Sequence, residues 1–264
     1  MRLFLLSFAL FFLSCSGKSG VADRPDGPFP RAGKGPAGTA PAELARQSAV
    51  FFNDEVHEVR ITIDQALFER QVQQGARGGG YARAALVEFD GEPLADVGIR
   101  VRGSGWSRRL AKKQFKLDFS PKKLIVGVDG TVKKFPLGKR RFHGLSALNL
   151  RCNGDNDPAL ITDKLTSEVF LAAGAVYPRT GMARLWINGR YQGLYLLTEH
   201  PDATMLRIRL GDGRGNQFKG RWRGGDAMNL YPDRFEPGRY KEVRRINAGN
   251  WQDLKRFLEA LAQA

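Results

Sequence analysis

Between residues 100 and 142 the chain carries 14 Lys or Arg and only two acids, Asp118 and Asp129. Their spacing matters more than their number. In Ile99-Arg100-Val101-Arg102 the arginines alternate with apolar residues, so on a strand they face away from the apolar side. In Phe115-Lys116-Leu117-Asp118-Phe119, Lys116 and Asp118 do the same. If these strands share a sheet, one face carries Arg100, Arg102, Lys116 and Asp118. Gly103-Ser104-Gly105 follows directly, a turn whose backbone amides could approach an anion closely. A basic face beside a glycine turn suits a polyphosphate; it equally fits a solvated face and a plain turn. Neither GxxxxGK[ST] nor GxGxxG is present, so the P-loop and the dinucleotide fingerprint are excluded.

Other chemistry has less support. Asp155, Asp157 and Asp163 lack the alternate carboxylates and terminal glutamate of a calcium loop, and capping explains Asp157 better. His57, His143 and His200 have no metal spacing, and no GxSxG elbow marks a nucleophilic serine. No metal site and no catalytic residue is therefore assigned. A nucleic-acid partner is not expected, because no reading helix, zinc module or aromatic ribonucleoprotein strand is recognisable.

These groups need elements to position them. Val56 to Ile63 alternates as a strand, and Asp64 then caps a helix to about Gln74. Gly75 to Gly80 is a loop. Strands Ala84–Phe89 and Leu94–Arg102 flank an Asp90-Gly91 turn, and Met182–Ile187 and Tyr191–Thr198 flank Asn188-Gly189. Gln114–Phe119 and Leu148–Leu150 are further strands. A helix opens at Asp157-Pro158, with Ile161, Leu165, Val169 and Ala172 on its apolar face and Gly174 as its stop. After Pro201 come short basic, Gly-rich pieces, then a helix from Asn250 to about Ala262. The order of elements predicts an α+β fold.

The chain has 264 residues, 42% of them apolar, and a net charge of +15. That is enough for one sizeable core, and it suggests an anionic partner. Met1-Arg2, the apolar run Leu3 to Leu13 and Ser14 predict a signal peptide over residues 1–14. Phe12-Leu13-Ser14-Cys15 looks like a lipobox with Cys15 as the lipidated residue, and an ordinary cleaved signal is the alternative. Residues 15–47, rich in Gly, Pro and Ala, read as a flexible tether of about 30 residues, with an r.m.s. span on the order of 30 Å. An exported protein follows, touching membrane only through a lipid anchor. Cys152 then remains as the second cysteine, a small buried hydrophobe by type.

Several stretches taken in order resemble the spore-coat protein H (CotH) kinase-like family. They are Val97-Gly98-Ile99-Arg100-Val101-Arg102-Gly103-Ser104, Lys113-Gln114-Phe115-Lys116-Leu117, and Phe142-His143-Gly144-Leu145 with Leu148-Asn149-Leu150. Asp157-Pro158 opening a helix, Ile187-Asn188-Gly189-Arg190-Tyr191-Gln192-Gly193-Leu194-Tyr195-Leu196-Leu197-Thr198-Glu199 and Asn216-Gln217-Phe218-Lys219 continue the series. The resemblance implies an atypical protein-kinase-like amino-terminal lobe, a mixed or antiparallel sheet plus one helix, over 48–203. The start of a helical carboxy-terminal lobe would occupy 204–264.

It also implies ATP and Mg²⁺ and the phosphorylation of serines on exported proteins. Lys116 would hold nucleotide phosphates, with Glu168 as its ion-pair partner and Asp163 as the rival. Arg102 and Ser104 would lie over the phosphates. Thr198, Glu199 and His200 would form the hinge beside adenine. The family's catalytic and Mg-binding aspartates come after the last matching segment, and Asp226 with Asn229 has no catalytic-loop context. The expectation from sequence is therefore a truncated or inactive member. The competing expectation is a non-enzymatic surface lipoprotein holding an anionic envelope polymer on its basic face.

Overall fold

The computed structural model describes residues 50–51, 55–74, 80–103, 110–135, 140–152, 160–210, 217–220, 240–244 and 251–262. The elements run β1 (Val56–Ile63), α1 (Gln65–Gln74), β2 (Ala82–Phe89), β3 (Glu92–Arg102), β4 (Gln114–Asp118), β5 (Lys123–Ile125), β6 (Val132–Lys134) and β7 (Ala147–Arg151). Then follow α2 (Ile161–Ala172), β8 (Thr180–Ile187), β9 (Arg190–Glu199), α3 (Ala203–Leu210), β10 (Gln217–Gly220), β11 (Tyr240–Arg244) and α4 (Gln252–Ala262). The α+β class holds.

Seven strands close into a barrel, in the order β1-β8-β9-β7-β4-β3-β2 and back to β1. The sheet-plus-helix lobe expected from the resemblance differs from this, because β1 pairs on both sides. It runs parallel to β8, Val56 opposite Met182, and antiparallel to β2, Val59 opposite Phe89. Closure leaves no edge among these seven strands. The β5–β6 hairpin hangs from the start of β2, where Ala82 lies opposite Ile125.

Both expected tight turns form. Asp90 and Gly91 have φ of 49° and 84°, and Asn188 and Gly189 have 50° and 75°. Positive φ at both central residues matches the right-handed strand twist, which is why Asp-Gly and Asn-Gly occur there. Asp64 caps α1 as predicted, its Oδ1 accepting the Leu67 N–H at 2.8 Å.

Alternation fills the interior. Ile99, Val101, Phe115, Leu117, Leu148 and Leu150 are all buried in one core, and Leu67 and Phe68 of α1 pack against it. A smaller cluster of Phe218, Leu254 and Leu258 joins β10 to α4.

The helix α2 departs from its predicted packing. Ile161, Leu165 and Val169 are 53%, 54% and 65% exposed, although their spacing marked them as the core face. The helix docks instead through polar contacts. Buried Ser167 Oγ donates to the Pro178 carbonyl at 2.7 Å, and Asp163 pairs with Arg151 of β7 at 2.9 Å. It begins at Ile161 after Leu160, whose φ is 59°; the predicted start at Asp157-Pro158 lies outside the described residues, as do the leader, the tether and Cys15. The elements α3, β5, β6, β10 and β11 are not among those expected from the sequence.

Leu148 is fully enclosed, so Leu148→Ala should destabilise the fold by about 2–5 kcal/mol in urea unfolding. Val169→Ala on the exposed stripe should stay within about 0.5 kcal/mol.

Candidate functional site

Strand register assembles one polar row across the outside of the barrel. Arg100 lies opposite Lys116, Lys116 opposite Asn149, Asn149 opposite Thr198, and Thr198 opposite Thr180. Directly opposed residues share a face. Their neighbours Ile99, Leu117 and Leu148 point inward, so the row must point outward. Arg102, two residues beyond Arg100, joins the same face.

Lys116 is partly covered, and its Nζ meets His200 Nε2 at 2.7 Å. Burial, with repulsion from Arg100 and Arg102 set against attraction from Asp118 and Asp202, brings the ammonium down to about 8. The sequence Pro201-Asp202 turns the chain over the row. Asp202 Oδ1 accepts the N–H groups of Thr204 at 2.7 Å and Met205 at 3.1 Å and so starts α3. Its other oxygen accepts the Ser146 hydroxyl. An Asp N-cap after proline was the signal in the sequence that could have found α3.

The arginines are held without full compensation. Arg100 lies over the Tyr81 ring, 4.8 Å from its centroid. Gly98, next on that face, gives the ring room: a Cβ there would stand 3.0 Å from Tyr81 Cβ. Arg100 Nε and Arg102 Nη1 are buried and find no hydrogen-bond partner among the described residues. Burial, then Arg151 and Arg100, pushes the Arg102 guanidinium down to about 9, with Asp163 opposing. At neutral pH it stays charged. Buried donors without partners are costly, and an anion would supply the missing acceptors.

The remaining predicted residues are distributed unevenly. Thr198 sits in the row, and its Oγ1 has no partner among the described residues. Glu168 is an exposed residue of α2 and pairs with Lys164 at 2.5 Å. Asp163 pairs with Arg151. Neither carboxylate is the one that meets Lys116; an imidazole is. Glu199 lies opposite Leu148, on the apolar side, and is 1% exposed. Its oxygens take Arg179 Nη2 at 2.5 Å and Nε at 2.9 Å, and Arg209 Nη2 lies 3.5 Å away. The side chain of Glu199 is thus committed to an internal ion pair. Ser104, Asp226 and Asn229 lie outside the described residues. Among the described residues no group of three or more His, Cys, Asp or Glu could hold a metal ion, so no Mg²⁺ ligand set is assigned.

The β4 lysine, the two β3 arginines and the strand–turn–strand after α2 fall within a segment matched by a family model. The model for the CotH kinase protein family covers residues 99–264, more than half of the chain. The chain belongs to that family. No curated protein matches it.

Removing one partner of the enclosed pair strands a buried charge. Glu199→Gln should therefore cost about 3–5 kcal/mol of unfolding free energy, read by urea titration.

Proposed function

We propose that the outer row of the barrel binds the phosphates of a nucleoside triphosphate, in an exported protein of CotH kinase descent. The observation that carries this is the set of cationic donors on one face: partly covered Lys116 beside the buried Arg100 Nε and Arg102 Nη1, which find no acceptor among the described residues. A phosphate chain offers several acceptor oxygens and the negative charge that these groups lack. Family membership supports the nucleotide as ATP. In this reading Lys116 grips the phosphates, Arg100 and Arg102 neutralise their charge, and Thr198 supplies a hydroxyl two strands further along the row. Phosphoryl transfer to serines of exported proteins is the activity that descent implies. It needs one carboxylate for the hydroxyl proton and others for Mg²⁺, and no described residue is assigned those roles. Export and anchoring rest on Leu3 to Leu13 and Cys15.

A second reading has its own observation. On the β5–β6 hairpin Lys123 stands directly opposite Lys134, with exposed Lys122 and Lys133 nearby. Like charges placed opposite one another are destabilising. A polyanionic envelope polymer would relieve that repulsion, and the protein would then be a non-enzymatic surface binder.

The two separate in one titration series. ATP should bind saturably by calorimetry, and Lys116→Ala should weaken it about tenfold to a hundredfold. The double substitution Lys123→Gln, Lys134→Gln should leave that affinity within about twofold. Loss of binding through the hairpin pair, with Lys116→Ala silent, would favour the polymer. Because free Lys116 loses its proton near pH 8, ATP affinity should weaken by up to about tenfold per unit as pH rises beyond that value.

A further inference from the structure

Lys116 Nζ and His200 Nε2 stand 2.7 Å apart. One proton lies between two nitrogens in such a bond. An ammonium donates and a neutral imidazole accepts, but an imidazolium has no acceptor left. While the contact lasts it therefore carries one positive charge, and with Lys116 charged His200 must be neutral at Nε2.

An imidazole is an uncompensating partner for a covered lysine, since it leaves the charge in place where a carboxylate would cancel it. Among the described residues Asp118 and Asp202 attract Lys116 through their charge, and each is held in place by other donors. Asp118 Oδ1 accepts the Ser120 N–H at 3.0 Å, and Asp202 caps α3 and takes the Ser146 hydroxyl. Arg100 and Arg102 repel Lys116 from β3. Arg151 is matched by Asp163, and Glu199 by Arg179 on the apolar side. The position between the two nitrogens thus has the positive charges of Arg100 and Arg102 on the β3 side, set against the negative charges of Asp118 and Asp202.

We propose that His200 is a second phosphate ligand: a phosphate oxygen enters between Lys116 Nζ and His200 Nε2, His200 takes up a proton there, and both nitrogens donate to the phosphate. The proposal rests on the outer row being the nucleotide site. The step balances simply. The Lys116–His200 hydrogen bond breaks, one N–H bond forms on the imidazole, and the proton comes from solvent. Two charge-assisted hydrogen bonds to an anion replace one between nitrogens, while Asp118 and Asp202 keep their present partners. Each nucleotide bound near neutral pH then carries a proton in with it. The imidazole is the side chain suited to this, because it ordinarily titrates between pH 5 and 8.

The chain has three histidines, so imidazole NMR on the full chain resolves the question directly. At pH 7, saturating ATP should convert the His200 ring from the neutral to the doubly protonated signature. ATP affinity measured between pH 6 and 8 should fall about tenfold more for the wild type than for His200→Gln, the ligand's own titration cancelling in the comparison. Binding of ATP with His200 still neutral, and with equal pH slopes in the two proteins, would overturn the role of His200 alone. Absence of ATP binding at every pH would overturn the nucleotide site itself and this inference with it.

Discussion

Lys116 lies between Arg100 and Asn149 on neighbouring strands, and the period-2 alternation of a strand leaves these three no choice of side. Phe115 and Leu117 must fill the barrel, so Lys116 must leave it. The same holds for Arg100 between Ile99 and Val101, and for Asn149 between Leu148 and Leu150. A one-residue slip of any of these strands would put a charge or an amide among the phenylalanines and leucines. The apolar interior thus enforces the polar exterior. The row is a consequence of the core, and its spacing is as rigid as the ladder that carries it.

The far end of the row depends on a different device. Glu199 ends β9 on the apolar side, where it is held by Arg179 and approached by Arg209 of α3. This pair fixes the direction in which the chain leaves the barrel. Three residues later Asp202 starts α3, and the intervening His200 is set down on Lys116. A buried ion pair is weak evidence for net stability, because desolvation offsets much of its attraction. Its value here is geometric: it anchors the strand end from which the only imidazole of the row is delivered.

Much of this was legible in the sequence, and for local reasons. Asp90-Gly91 and Asn188-Gly189 announce their turns because few residue pairs accept positive φ twice in succession. Alternation in 99–102 and 115–119 placed Lys116 and both arginines on one face correctly. Barrel closure was not legible, since β1 and β8 lie more than a hundred residues apart and strand periodicity carries no partner information. The stripe on α2 misled because the helix is held by Ser167 and Asp163, two polar contacts that an apolar pattern cannot display. The partner of Lys116 was sought among carboxylates of that helix. It is instead a histidine 84 residues further along the chain, brought back by the return of β9 beside β7, which no local spacing encodes.

On the proposed reading the outer row, and no other basic surface of the molecule, receives phosphate. Backbone amide chemical shifts followed during an ATP titration test it most directly. The perturbed amides should cluster at residues 99–102, 115–118, 148–150 and 198–202, with the β5–β6 hairpin unmoved. Perturbation centred on residues 122–134, or spread evenly over the lysines and arginines of the whole surface, would contradict it.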